Sequence, residues 1–204
     1  MRDQTIEDFL GQLADRVPAP GGGATAALHA AQAAALLAMV GRYSDGAKYD
    51  AGLMGRVVTQ ADKLRDEALT LAEADAAAFG AVAEAYRLPK DTGEEKEARS
   101  AAIAAAVAGA AWPPAHVVRL ARLLADLTEE LLPAGNRNVI TDVAAAAEAA
   151  RAAAVTARVN IEVNLRGIKD PALAAEFRAT AAITDEIIER ADRVVAAVRE
   201  EISR

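Results

Sequence analysis

The chain has 204 residues, 53% of them apolar but only 3% aromatic, with a net charge of −7 and no cysteine. That length supports one domain with a large core, and no Ser/Gly/Pro-rich linker divides it, so a single domain over residues 1–204 is expected. The acidic balance, the lack of a basic block and the scarcity of aromatics argue against nucleic acid as a partner, and the missing cysteines remove disulfides, thiolate nucleophiles and Cys-based metal sites together.

Thr5-Ile-Glu-Asp8 has the form of a capped helix start, and Ile6, Phe9, Leu10 and Leu13 share one helical stripe that ends before Pro18. Met1 to Leu10 holds acidic residues and no apolar signal core. Val17-Pro-Ala-Pro-Gly-Gly-Gly-Ala-Thr25 then forbids helix at its prolines and frees the backbone at Gly21, Gly22 and Gly23. A second helix is expected from about Gly23 to Ser44, broken at Asp45-Gly46. Its unpaired N-terminal N–H groups and dipole would favour an anionic or electron-rich ligand, whereas on the plainer reading the glycines only make a tight bend. No Gly-Lys-Ser/Thr follows and no strand precedes, so the run is neither a Walker loop nor a Rossmann fingerprint. Ala24 to Val40 is mostly alanine, interrupted by His29 and Gln32, and is expected to be too weakly apolar to cross a membrane. A soluble cytoplasmic protein without a membrane partner is the expectation.

A third helix is predicted from near Leu53 to Leu88. Asp75 lies on its stripe with Leu71, Ala78, Phe79 and Val82. A carboxylate there is at least partly buried, which raises its pKa toward a value suited to proton transfer; the competing reading is a surface Asp or a cap for a neighbouring helix. Leu88-Pro89-Lys90 ends this helix, and Thr92-Gly-Glu-Glu95 is a capping box that opens a fourth over about Thr92 to Ala111. A fifth is expected from Pro114 to about Leu132, stopped by Pro133-Ala-Gly135. The polar turn Gly135-Asn-Arg-Asn-Val-Ile-Thr-Asp142 leads into a sixth, on which Asn160 and Asn164 lie one turn apart. Those two amides need partners, either backbone groups of a neighbouring helix or the edges of a heterocycle. Arg166-Gly167 ends the sixth helix, and Asp170 with Pro171 starts the last.

No stretch alternates as a strand does, so the fold class is all-α, a bundle of six or seven helices without a solenoid repeat. With so few aromatics the core must be built from Ala, Leu, Val and Ile at close contacts, which leave little to hold a large cavity open inside one subunit, so a second subunit is expected to help form a pocket. His29 and His116 have no metal-ligand spacing and are read first as core or surface histidines, with His29 also a candidate to touch a ligand because it stands about two turns behind the glycines.

Five segments taken together resemble a known family: Pro20-Gly-Gly-Gly23, Asp75-Ala-Ala-Ala-Phe79, Leu88-Pro-Lys90 with Thr92-Gly-Glu-Glu-Lys96, Gly135-Asn136 followed by Thr141-Asp142, and Asn160-Ile-Glu-Val-Asn164. Their order and spacing, over nearly the whole chain, are similar to the cyclodeaminase/cyclohydrolase family, which includes the cyclodeaminase half of formiminotransferase-cyclodeaminase and stand-alone methenyltetrahydrofolate cyclohydrolases. The resemblance implies an all-α homodimer with clefts near the subunit contact, a tetrahydrofolate derivative as substrate, and no metal or redox cofactor. Reaction at the 5,10-methenyltetrahydrofolate level is implied, by hydrolysis of the methenyl group or by cyclodeamination of the formimino compound.

Asp75 matches the position of a proton donor in that family. Gly21, Gly22, Gly23, Asn136, Asp142, Asn160 and Asn164 are candidates to line the cleft, and Lys90 to meet the glutamate tail. Three departures stand out: the Asp45–Tyr49 connection is shorter and less basic than in relatives, Ala24 and Thr141 stand where Ser is common, and His29 replaces a small residue. They keep open a different amidine or imine substrate, beside a further alternative, a helical dimer that binds a folate-like ligand without turnover.

Overall fold

A computed structural model describes all residues, 1–204. It contains seven α-helices and no strand: α1 (Ile6–Ala14), α2 (Gly22–Tyr43), α3 (Ala51–Arg87), α4 (Gly93–Ala110), α5 (Trp112–Ala134), α6 (Ile140–Leu165) and α7 (Pro171–Ile202), with a 3₁₀ turn at Arg137–Val139. The caps are those legible in the chain. Thr5 and Thr92 form reciprocal capping boxes with Asp8 and Glu95, while Asp50 and Asp170 each accept two N–H groups of the helix that follows.

Two boundaries differ from expectation. Pro113 and Pro114 sit in the first turn of α5, where a missing N–H costs nothing. Pro133 does not stop α5. It occupies the last turn, and the Gly135 N–H closes the helix on the Leu131 carbonyl at 2.7 Å. The 3₁₀ turn was not foreseen; it is the piece that carries the chain from α5 into α6.

α2 is the axis of the bundle, packed against α3, α5 and α6. Ala24, Ala26, Ala27, Ala30, Ala33 and Ala34 are fully buried on it, and Ala146, Ala150, Ala153, Ala154 and Ala157 answer them on α6. Alanine removes side-chain bulk from both surfaces and lets the backbones approach closely, with Leu37, Leu124, Leu127, Leu131 and Phe177 filling the wider gaps. By length and hydropathy, Gly22–Tyr43 and Gly93–Ala134 are apolar enough to cross a membrane, which corrects the expectation drawn from the alanine content of α2. In this fold 61% of the apolar window of α2 lies buried inside the protein, as a core helix apolar on all sides requires.

α1 and α4 are different. Neither contributes a buried residue, and α1 leaves Ile6 and Leu10 largely exposed on its apolar stripe.

Candidate active site

A cleft of about 630 Å³ opens where the lead-in Val17–Pro20 and the N-terminus of α2 meet α3, α4 and α6, so a sizeable pocket forms within one chain, contrary to the expectation that it calls for a second subunit. Its α3 wall is Asp75, Phe79, Val82 and Tyr86, spaced by three and four residues so that all four project from one face. Its α6 wall is Asn160, Val163 and Asn164, continued by Arg166 and Gly167 where the helix ends. Gly21, Gly22 and Gly23 form the floor between them, and Val107 and Ala110 of α4 close the side. Among these residues Asp75 is the carboxylate and Arg166 the cation.

Asp75 explains Gly23. A Cβ on Gly23 would lie 2.0 Å from Asp75 Oδ1 and 2.3 Å from Cγ, so any other residue at 23 would occupy the space of the carboxylate. The anion favoured at the N-terminus of α2 is thus supplied by the protein's own α3. Burial pushes the Asp75 carboxyl above its ordinary value, and the Ala24 backbone N–H, which favours the ionised form, offsets this in part. The result is a carboxyl group that keeps its proton to a higher pH than an ordinary aspartate does.

Asn160 and Asn164 are each half satisfied. Asn160 Nδ2 donates to the Thr156 carbonyl at 2.9 Å, within its own helix, and Asn164 Nδ2 donates to the Ala110 carbonyl at 3.1 Å, across to α4. Those bonds orient the amides and leave each Oδ1 free to accept from a ligand in the cleft. The backbone-partner alternative of the sequence reading is met on the Nδ2 side of each amide, and the Oδ1 side stays open.

Gly21, Gly22, Gly23, Asp75, Asn160 and Asn164 are brought together, and four other candidates are not. His29 stands seven residues beyond Gly22, roughly 10 Å along the axis, and faces a separate apolar groove with Phe9, Leu13, Leu28 and Leu69. Asn136 is occupied structurally: its Nδ2 donates to the Tyr43 carbonyl at 2.7 Å, its N–H to Ser44 Oγ at 2.8 Å, and its Oδ1 accepts the Asn138 N–H. Asp142 lies in the first turn of α6, where the dipole favours a carboxylate, away from the cleft-lining end of that helix. Lys90 lines a neighbouring basic pocket. Tyr86 and Arg166 were missed. Tyr86 was legible at eleven residues from Asp75, three turns along the same face, and Arg166 as a cation directly after the two asparagines.

The family model described as formiminotransferase-cyclodeaminase matches residues 5–183. The chain belongs to that family. It is 40% identical over 178 residues to a methenyltetrahydrofolate cyclohydrolase of Methylorubrum extorquens, with 85% of each chain covered. A formimidoyltransferase-cyclodeaminase of Mus musculus is 32% identical over 171 residues, which is 82% of this chain but 32% of that longer protein. The fold superposes on the crystal structure of formiminotetrahydrofolate cyclodeaminase from Thermotoga maritima with a TM-score of 0.86, at 28% identity and 98% coverage of both chains.

Proposed function

We propose that this family member is an enzyme of folate one-carbon metabolism acting at the 5,10-methenyltetrahydrofolate level, with Asp75 as its acid/base group. The observation that carries the reading is a desolvated carboxyl on the α3 wall of the cleft, beside two amides with free oxygens. Phe79, Val82 and Tyr86 offer a face against which a flat conjugated ring can lie, and the Oδ1 atoms of Asn160 and Asn164 suit its N–H edge.

In hydrolysis, water adds to the cationic methenyl carbon and the Asp75 carboxylate takes the proton it sheds. As the adduct collapses, its hydroxyl releases its remaining proton to solvent to form the formyl C=O while one C–N bond breaks, and Asp75 returns the first proton to the departing folate nitrogen, giving 10-formyltetrahydrofolate. In cyclodeamination the second folate nitrogen attacks the formimino carbon, and protonated Asp75 supplies the proton with which ammonia leaves. Both routes use the same group from opposite protonation states, which a raised carboxyl pKa serves. We propose that the protein's own acid/base groups carry the chemistry, without a metal or redox cofactor.

The working unit of the proposal is a cytoplasmic homodimer. The exposed stripe of α1, with Ile6 and Leu10 uncovered, supports it as a surface for a second copy. His29, one of the departures that suggested a changed substrate, lies outside the cleft and gives no support to another amidine.

The test is the near-ultraviolet absorbance of 5,10-methenyltetrahydrofolate in a buffer where spontaneous hydrolysis is slow. Enzyme-dependent loss that falls by about 10²- to 10⁴-fold in Asp75→Asn is expected. An inert wild type would direct the same assay to 5-formiminotetrahydrofolate and ammonia release. Inertness with both would refute the enzyme reading.

A further inference from the structure

α4 buries none of its residues, and the hydrogen bonds that tie it to other helices end on two residues of the Asp75 cleft. Asn164 Nδ2 donates to the carbonyl of Ala110, the last residue of α4, and Arg99, in its second turn, donates to the carbonyl of Tyr86. Tyr86 stands at the weakest point of its own helix. It is the second-last residue of α3, where the carbonyls have no partner within the helix, and it is 55% exposed. Arg99 supplies what the helix lacks: its Nη2 donates to the Tyr86 carbonyl at 3.0 Å and its Nε at 3.3 Å, while its Cζ lies 5.5 Å from the centre of the Tyr86 ring. Arg87 beside it pairs with Glu84 of the same helix, whereas Arg99 makes no ion pair and its guanidinium is committed to Tyr86.

Arg99 itself does not line the cleft. It stands behind Tyr86, on the wall of the neighbouring basic pocket with Lys96 and Lys169. An aromatic side chain free to turn at a helix end must be ordered when a ligand lies against it, and that ordering weakens binding by about two- to tenfold for each side chain fixed. A ring whose backbone and face are both held by one guanidinium is ordered beforehand. Tyr86 is eleven residues from Asp75 on the same face of α3, roughly 16 Å along the axis, so the ring held by Arg99 forms the outer end of the wall, away from the acid.

We propose that Arg99 is a positioning residue: from α4 it fixes the Tyr86 ring as the outer part of the wall on which the substrate lies, and so acts on substrate binding and leaves proton transfer at Asp75 alone. The identity of that substrate rests on the folate reading above. The hold of Arg99 on Tyr86 does not, and the two are measured separately.

Labelled with 3-fluorotyrosine, the protein carries three ¹⁹F reporters, at Tyr43, Tyr49 and Tyr86, and Y86F identifies the third. In R99L, and in R99K, which keeps the charge but not the planar fork, the Tyr86 resonance is expected to move toward its position in the urea-unfolded chain, while those of Tyr43 and Tyr49 stay in place and report an intact fold. For the folate that the wild type turns over, KM is expected to rise by about two- to tenfold in R99L with kcat within about twofold, and to rise no further when R99L is added to Y86L. Additive effects of the two substitutions, or full recovery of KM in R99K, would set the charge of Arg99 against the substrate itself and overturn the positioning role. An unmoved Tyr86 resonance, or a moved one with KM unchanged, overturns it as well. A wild type inert with both folates, in which the Tyr86 resonance still answers to Arg99, would sink the folate reading and leave the positioning of Tyr86 standing.

Discussion

Gly23→Ala adds one carbon at the point where the site is tightest. The new Cβ would sit 2.0 Å from Asp75 Oδ1, and Cβ contacts below 3.0 Å essentially do not occur, so the carboxylate must move by at least about 1 Å. The backbone does not resist alanine, because the one positive φ in the chain is at Gly46. Helix propensity at position 23 favours alanine by roughly 0.5–1 kcal/mol, which offsets part of the collision. For the acid/base role proposed for Asp75 such a displacement is costly: a misplacement of about 1 Å is associated with about 10²-fold in rate.

The expected result is therefore a fall of about two orders of magnitude in kcat/KM, with Tm within a few degrees of wild type. Gly41→Ala is the contrast. It lies on the same face of α2, eighteen residues or about 27 Å away, and its Cβ would meet Val58 Cγ2 at 2.8 Å. There the cost falls on packing, about 1–3 kcal/mol of stability, with kcat/KM of the folded protein kept. Steady-state assays beside thermal melts separate the two. Wild-type activity in Gly23→Ala would refute the idea that the glycine exists to admit the carboxylate.

Asp75→Asn should be more stable than wild type at neutral pH. The folded-state pKa of Asp75 is raised above its ordinary 3.8, so this group favours folding most below that value and loses the contribution as pH rises through the folded pKa. The variant's Tm advantage should shrink as pH falls toward 4, and an advantage independent of pH would contradict the burial argument. Arg190→Met removes a buried guanidinium that meets Asp126 at 2.6 Å, Glu129 at 2.7 Å and Glu186 at 3.3 Å between α5 and α7. The three carboxylates left behind are partly solvated, so a loss of about 2–3 kcal/mol is expected by urea unfolding. Arg190 holds the Glu129 carboxyl below its ordinary 4.5, a contribution present above that value and lost in acid, so the gap to wild type should narrow below pH 4. Light scattering should give twice the 21.1 kDa of one chain for the wild type and a single chain for I6E/L10E, whereas a monomeric wild type at micromolar concentration would rule out the α1 contact.

Most of the fold was legible because its signals are local. Capping boxes at Thr5 and Thr92, and Asp-Pro before α7, act within four residues, and they place helix starts to within a residue or two. Pro133 was misjudged because its effect depends on position in the turn. Half of the site was legible for the same reason: Asp75 with Phe79 and Val82, and Asn160 with Asn164, are each set by one helix's period. What a single helix cannot tell is which others it faces. Asn136 and Asp142 carry polar groups of the right kind, yet their positions serve the α5–α6 connection and the first turn of α6. His29 has nearly the same azimuth as Gly22 on α2, and only its distance along the axis takes it to another groove.

The alanine content and the acid site have one cause. Contacts of Gly23 with Asp75 and of Gly41 with Val58 show that α2 and α3 run antiparallel, with a glycine at each end of their shared face. Between them stand Ala27, Ala30, Ala34 and Ala38 on α2 against Ala61, Ala68 and Ala72 on α3, all buried. Small residues along the whole seam let the two backbones approach closely, and that closeness brings a carboxylate one turn beyond Leu71 over the free N–H groups of α2. A seam of leucines would hold the helices further apart. Asp75 would then sit in water with an ordinary pKa, facing no helix N-terminus. Chemistry that needs a desolvated carboxyl in a chain with few aromatics is met by close backbones, so substitutions that widen the α2–α3 seam near residues 23–30 should act on Asp75 before they act on the fold.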